Sequence, residues 1–206
     1  MYIDMLFAAL IGYLLGSVPF ALVIGKVFYH TDVRTAGSKN LGGGNTGRVL
    51  GAKAGLAVMT LDILKVSLAV FIASCFRHGE PIMIVAGLAA AIGHCYPLFA
   101  RFKGGKAVAT MYGFLFGMIL CGVHSVLIFL VPLVVFLVVL WLSKIVSLSS
   151  MISAVAATVF VWVTTGSWQM GGAVAVFAAL IIVRHRKNIA KMVRGEENRI
   201  KWMSSK

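Results

Sequence analysis

Two lysines, Lys103 and Lys106, bracket a pair of glycines, Gly104 and Gly105, in the run GHCYPLFARFKGGKAVAT. Ammonium groups on either side of a bare, pliable backbone make a clamp for a phosphate, because each cation can donate to an oxyanion that the glycines let come close. Membrane topology alone would explain the charges, but it would not explain the glycine pair. A nucleotide P-loop does not fit, since Ala100 and Ala107 stand where that motif needs Gly and Ser or Thr. A second stretch, AGSKNLGGGNTGRVLG over residues 36–51, interleaves glycines with Ser38, Asn40, Asn45, Thr46 and Arg48. Glycines that accept positive φ allow successive N–H groups to converge on an anion, and Arg48 adds a planar fork that matches phosphate oxygens. The competing reading is a flexible linker, against which stand the paired asparagines and Arg48. GGGNTG spells the dinucleotide fingerprint G-x-G-x-x-G, but that fold needs a strand before it and a βαβ unit around it, so the match is rejected.

Two further polar clusters follow, SLSSMIS at 147–153 and RHRKNIAKMVRGEENR at 184–199. His94, just before Tyr96 and Pro97, reads more readily as a structural donor at a helix end than as a catalyst. Cys95 beside it is disfavoured as an acyl-accepting thiol, because neighbours on a helix point in different directions. Asp62 and Lys65 are three residues apart and share a helix face, as an internal ion pair or as a functional one. Cys75, Cys95 and Cys121 form no CxxC and read as packing residues.

What carries these clusters is lipid-soluble. The chain is 60% hydrophobic with only six acids in 206 residues, and its mean hydropathy is +0.97, outside the range of soluble domains. Runs long enough for about 30 Å of hydrocarbon lie at 3–27, 54–76, 81–99, 107–123, 125–142, 146–165 and 168–183. The expectation is an all-α integral membrane bundle of seven transmembrane helices forming a single domain over 1–206, since backbone in lipid must bond within its own segment. GSVP at 16–19 should kink the first span through Pro19. The N-terminus lacks a basic region and a cleavage pattern, and so reads as a first span and not as a signal peptide.

Orientation follows from where lysine and arginine fall. With Lys65 inside a span, the N-terminal side carries Arg77 alone, whereas the other carries all the remaining cations, from Lys26, Arg34, Lys39, Arg48 and Lys53 to those of the C-terminal segment, including Lys201 and Lys206. The N-terminus is therefore expected outside and the C-terminus in the cytoplasm. All four polar clusters then fall at cytoplasmic span ends, where a bundle could gather them around one site. A transporter for a phosphorylated solute is the competing class, but it needs polar lining through the membrane and not only at one face. A CDP-alcohol transferase needs a set of metal-binding aspartates, and only Asp4, Asp32 and Asp62 are present.

Together, GSVPF, DVRTAGSKNLGGGNTGRVLG, GHCYPLFARFKGGKAVAT, SLSSM and RHRKNIAKMVRGEE resemble the bacterial acyl-phosphate:glycerol-3-phosphate acyltransferase family, in order and over nearly the whole chain. The resemblance implies a seven-helix enzyme of the bacterial plasma membrane with its active site facing the cytoplasm. Such an enzyme moves a fatty acyl group from acyl phosphate to the 1-position of glycerol 3-phosphate, giving lysophosphatidic acid, with no metal or other cofactor and no nucleic-acid partner. The family's essential serine and arginine fall on Ser38 and Arg48, its Lys-Gly-Gly-Lys on Lys103 to Lys106, and its histidine and asparagine on His185 and Asn188. Ser150 matches a phosphate-contacting serine and Glu197 a structural glutamate. On this basis Ser38, Arg48, Lys106, His185 and Asn188 are expected to be catalytic. Asn40, Asn45, His94, Lys103, Gly104, Gly105 and Ser150 are expected to bind substrate. Departures from the family pattern are Lys39 and Ala107 in place of glycines, Gly43 and Gly44 in place of Ala-Thr, and Lys187 in place of Glu.

The donor is also marked by an absence. Many acyltransferases that use thioesters carry a His-x4-Asp pair, but His30, His94 and His185 are followed at that distance by Thr35, Phe99 and Ala190. An acyl phosphate lessens the need for such a base, because its leaving phosphate can take the proton itself.

Overall fold

Pro19 interrupts the first apolar run, and the helix does more than kink there. In a computed structural model, which describes residues 2–200, the run forms two helices, α1 (Tyr2–Gly16) and α2 (Phe20–Tyr29). Proline has no N–H to give and its ring blocks the turn before it. The chain therefore restarts, with Leu22 and Val23 donating to the Pro19 carbonyl at 2.8 and 3.1 Å. The remaining helices are α3 (Gly43–Leu50), α4 (Ala52–Phe76), α5 (Glu80–Cys95), α6 (Val108–Leu120), α7 (Leu127–Ser143), α8 (Val146–Thr165), α9 (Trp168–Arg184) and α10 (Arg186–Val193), with a short 3₁₀ turn at Leu98–Ala100. No strand occurs among the described residues. Lys201 and Lys206, counted above for topology, lie outside them.

Each apolar run of the sequence coincides with helix. By length and composition four stretches can cross a membrane: Tyr2–Tyr29, Ala52–Phe76, Glu80–Ala100 and Val146–Thr165. A fifth is added if α9 and α10, bent by 57° at their junction, count as one span. Helices α6 and α7 are apolar but shorter.

The chain divides into two compact units, Met1–Val123 and His124–Lys206. In the first, helices approach through missing side chains, as they must where lipid offers no hydrophobic drive for association. A Cβ on Gly12 or Gly16 of α1 would overlap the α5 backbone at Ala86 or Ala90, and one on Gly113 of α6 would overlap α4 at Ile63. Ser67 of α4 adds a hydrogen bond to the Gly113 carbonyl at 2.8 Å. At one end of this unit, Ala21, Leu22 and Ile24 of α2 share a buried cluster with Val33 and Leu41, with Ala54 and Val58 of α4, and with Ala100. The segment after α2 and the turn after α5 are thus held in one core. In the second unit, Ser153 of α8 donates to the Pro132 carbonyl of α7 at 2.8 Å, and Gly171 of α9 packs against the Trp162 ring of α8.

Gly16→Val should force α1 away from α5 and cost about 1–3 kcal/mol, read as a lower melting temperature of the purified protein. Gly172→Ala, where an added Cβ meets nothing within 4 Å, should leave the melting temperature unchanged or raise it.

Candidate active site

The stretch at 36–51 is only half loop. From Gly43 it becomes α3, a helix that its glycine content alone would not support. Gly42 caps it in an extended conformation, its carbonyl accepting from the N–H groups of Asn45 and Thr46, both at 3.1 Å, and from the Thr46 hydroxyl at 3.2 Å. Packing supplies the rest. A Cβ on Gly43 would come within 2.6 Å of the Gly55 carbonyl oxygen of α4, and one on Gly55 within 2.7 Å of Gly47 Cα. Gly43 is therefore fixed by contact and does not loosen the segment.

Asn45, buried on the first turn of α3, latches the preceding loop. Its Oδ1 accepts from the Ser38 N–H at 2.7 Å and from Ser38 Oγ at 3.1 Å, while Nδ2 donates to the carbonyls of Val33 at 2.9 Å and Ala36 at 3.3 Å. Its amide is saturated by these four bonds. Asn45 thus positions Ser38 instead of reaching outward. Gly37, at φ +60°, leaves room for this, since a Cβ there would overlap Asn45 Oδ1. Upstream, the Arg34 Nη2 donates to Asp32 Oδ2 at 2.6 Å and its Nε to Oδ1 at 3.0 Å. That side-chain hydrogen bonding holds the Asp32 carboxyl down at about 2. The stability it adds is complete above the ordinary carboxylate value and is lost only as pH falls through about 2.

The outer face of α3 carries Gly44 and Arg48, four residues apart and both exposed. The Arg48 guanidinium has no hydrogen-bond or ion-pair partner among the described residues. It stands one turn from the Gly43 and Gly44 amides at the start of α3, which lack intrahelical acceptors and favour negative charge. Ser38 is exposed and Asn40 half-buried beside them.

The Lys103–Lys106 segment is held against the end of α5. The Gly105 N–H donates to the His94 carbonyl at 2.9 Å. A Cβ on Gly104 would overlap that same carbonyl, and one on Gly105 would overlap the His94 ring. The glycine pair is therefore a packing requirement set by His94, more than a source of flexibility. Lys103 is exposed and Lys106 half-buried. His94 is itself buried, with Nδ1 at 3.2 Å from Lys65 Nζ and 3.6 Å from Asp62 Oδ1.

In the second unit, His185 occupies the bend between α9 and α10. Its Nδ1 lies 2.8 Å from the Ile181 carbonyl, which can only accept. Nδ1 therefore carries the hydrogen, and in neutral imidazole Nε2 is the basic nitrogen. Asn188, three residues on, donates from Nδ2 to Glu197 Oε1 at 2.6 Å, and Ser147 donates to the same oxygen at 2.8 Å. Ser150 lies one turn after Ser147 and is buried, donating to the Val146 carbonyl at 2.8 Å. The expected residues thus form two groups. Ser38, Asn40, Asn45, Arg48, His94 and Lys103 to Lys106 belong to the first unit, and Ser150, His185 and Asn188 to the second. Sequence reasoning left the Asp62–Lys65 pair open and did not single out Ser147 as a partner of Glu197. The i, i+3 spacing of Ser147 and Ser150 on one helix face was the available signal. No three His, Cys, Asp or Glu side chains converge as a metal site among the described residues.

The geometry is that of a helical, multi-pass membrane protein whose polar residues lie at helix ends. The family model for glycerol-3-phosphate acyltransferase matches residues 6–195. A glycerol-3-phosphate acyltransferase of Listeria monocytogenes is 45% identical over 205 residues, which is 98% of this chain and 100% of the relative. Crystal structures of PlsY (YgiH), an integral membrane glycerol 3-phosphate acyltransferase, superpose on 95% of both chains. The glycerol 3-phosphate form gives a TM-score of 0.87 at 37% identity, and the lysophosphatidic acid form 0.85 at 36%. This chain belongs to the glycerol-3-phosphate acyltransferase family.

Lys39 and Ala107, the two positions at which the resemblance implies glycine, both have left-handed backbone, at φ 58° and 63°. A side chain in that region costs about 1–2 kcal/mol. Lys39→Gly and Ala107→Gly should therefore each raise the melting temperature of the purified protein, whereas Lys39→Val should lower it. Unchanged melting in all three would show that neither position is strained.

Proposed function

We propose that this chain transfers a fatty acyl group from acyl phosphate to the 1-hydroxyl of glycerol 3-phosphate, releasing phosphate and lysophosphatidic acid, the first step of phospholipid synthesis. The observation that carries the reading is Arg48, which has no partner among the described residues, beside the α3 N-terminus and in the same unit as the lysine-bracketed glycine pair. Two separate anion sites suit a reaction whose donor and acceptor each bear a phosphate. The family and its structures in glycerol 3-phosphate and lysophosphatidic acid forms support the acceptor and the product.

The glycerol hydroxyl attacks the acyl carbonyl, the carbon–oxygen bond to phosphate breaks, and the leaving phosphate accepts the hydroxyl proton. Lys103 and Lys106 bind the phosphate of glycerol 3-phosphate. Arg48, Ser38 and the first amides of α3 hold the donor phosphate, and Ser38 and Lys106 offset charge developing on the carbonyl oxygen. His185 and Asn188 complete the catalytic set, and Ser150 is a further phosphate contact. Asn45 and Glu197 act behind them, orienting Ser38 and Asn188. Asn40 sits beside Ser38 as a further substrate contact.

The same reading takes residues 1–206 as one acyltransferase domain with seven spans in a bacterial plasma membrane, the N-terminus outside and the polar ends facing the cytoplasm. The lopsided distribution of lysine and arginine supports that orientation, and the span of the family model across both units supports the single domain.

Purified protein in bilayers should form lysophosphatidic acid with acyl phosphate and not with acyl-CoA or acyl carrier protein. Arg48→Ala and His185→Ala should abolish turnover at normal protein levels. Lys106→Ala should lose about 1.5–3 kcal/mol of binding, read as a higher KM for glycerol 3-phosphate. Efficient turnover of acyl-CoA by the pure protein would overturn the donor assignment.

A further inference from the structure

Asp62 and Lys65 lie near the middle of α4 and are almost fully buried, with side chains 3% exposed. Neither takes part in the acyl-transfer scheme. Lys65 Nζ is 2.6 Å from Asp62 Oδ1, 2.8 Å from the Val18 carbonyl, 3.2 Å from His94 Nδ1, and 5.7 Å from the centroid of the Phe20 ring. A buried ion pair is weak evidence of stabilisation, because apolar residues of similar volume often serve as well. The Val18 carbonyl also receives the Phe20 N–H at 3.2 Å, so Lys65 is its second donor and not its sole one. The pair also gives the His94 ring a fixed point, through Nδ1. That ring fills the space above Gly105, and the His94 carbonyl accepts the Gly105 N–H.

We propose that Asp62 and Lys65 are positioning residues for the Lys103–Lys106 segment, acting through His94. The ion pair sets Nδ1, the ring and carbonyl of His94 set Gly105, and Gly105 sets where its neighbour Lys106 presents the ammonium group. The arrangement places a rigid chain of contacts between a charge pair within the helices and a cation at their end. It rests on the reading that this segment binds the phosphate of glycerol 3-phosphate.

The test uses the full-length protein in bilayers, comparing KM for each substrate in wild type, in Asp62→Leu/Lys65→Met and in Lys65→Met. The double substitution removes both buried charges and keeps their volume, so it should melt with the wild type. It should raise the KM for glycerol 3-phosphate about tenfold while leaving the KM for acyl phosphate within about twofold, a split that a general loss of structure would not produce. A folded double variant with wild-type KM for glycerol 3-phosphate, or an equal rise in both KM values, overturns the inference. Where the double variant does not accumulate, Lys65→Met decides by the same split. Loss of both proteins from the membrane would make the pair structural and also overturn it. A wild-type protein that acylates no glycerol 3-phosphate would instead overturn the functional reading, which keeps the two failures apart.

Discussion

One buried cation, Lys65, meets three demands that a membrane interior makes difficult to satisfy together. The break at Pro19 leaves the Val18 carbonyl with only the Phe20 N–H as a backbone donor, Asp62 needs a counter-charge in a low-dielectric setting, and His94 must be fixed at the end of α5. An unpaired charge or a poorly satisfied carbonyl in hydrocarbon is expensive, so these groups are confined to one arrangement. The geometry of the first unit follows from it. The broken first span is tied to α4, α4 is tied to α5, and the segment after α5 is closed down on His94 through two glycines that admit no side chain.

The same logic of exclusion shapes α3. One face has no side chains where it meets α4, at Gly43 and Gly47, which lets a two-turn helix lie close against a long one. The other face is left to Gly44 and Arg48. Asn45 turns back into the loop and saturates itself there, which keeps Ser38 at a set distance from the helix. In the second unit Glu197 plays the comparable part. A single carboxylate oxygen gathers Ser147 and Asn188 from distant points of the sequence. In each cluster a buried or half-buried polar group spends its bonds fixing its neighbours: Asn45 holds the exposed Ser38, and Glu197 holds the buried Ser147 and the half-buried Asn188.

The helices were legible in the sequence because hydrocarbon permits little else, and the polar ends were legible because glycine, lysine and arginine cluster so sharply there. Pro19 announced a disturbance in the first span, though not that Lys65 would serve the Val18 carbonyl. Helix α3 was not legible. Its glycines oppose helix in isolation, and only the contact with Gly55 makes them an advantage. The asparagines looked alike on paper, but Asn45 is buried and saturated while Asn40 is half-buried, a difference fixed by the loop's path. The role of Gly105 was hidden for the same reason, since no local pattern reveals that a histidine ring eleven residues earlier will occupy its side-chain space. The tie between Glu197 and Ser147 spans fifty residues and carries no periodic signal.

The proposed function requires the packing around His94 to present a lysine ammonium to a phosphate. The most direct measurement is nitrogen–phosphorus dipolar recoupling on wild-type protein in bilayers, labelled with ¹⁵N at the lysine side chains and saturated with glycerol 3-phosphate. The account predicts that the substrate phosphorus is in close contact with a lysine ammonium, and that this contact is lost in Lys106→Ala. A bound, turnover-competent glycerol 3-phosphate whose phosphorus lies near no lysine ammonium would contradict it.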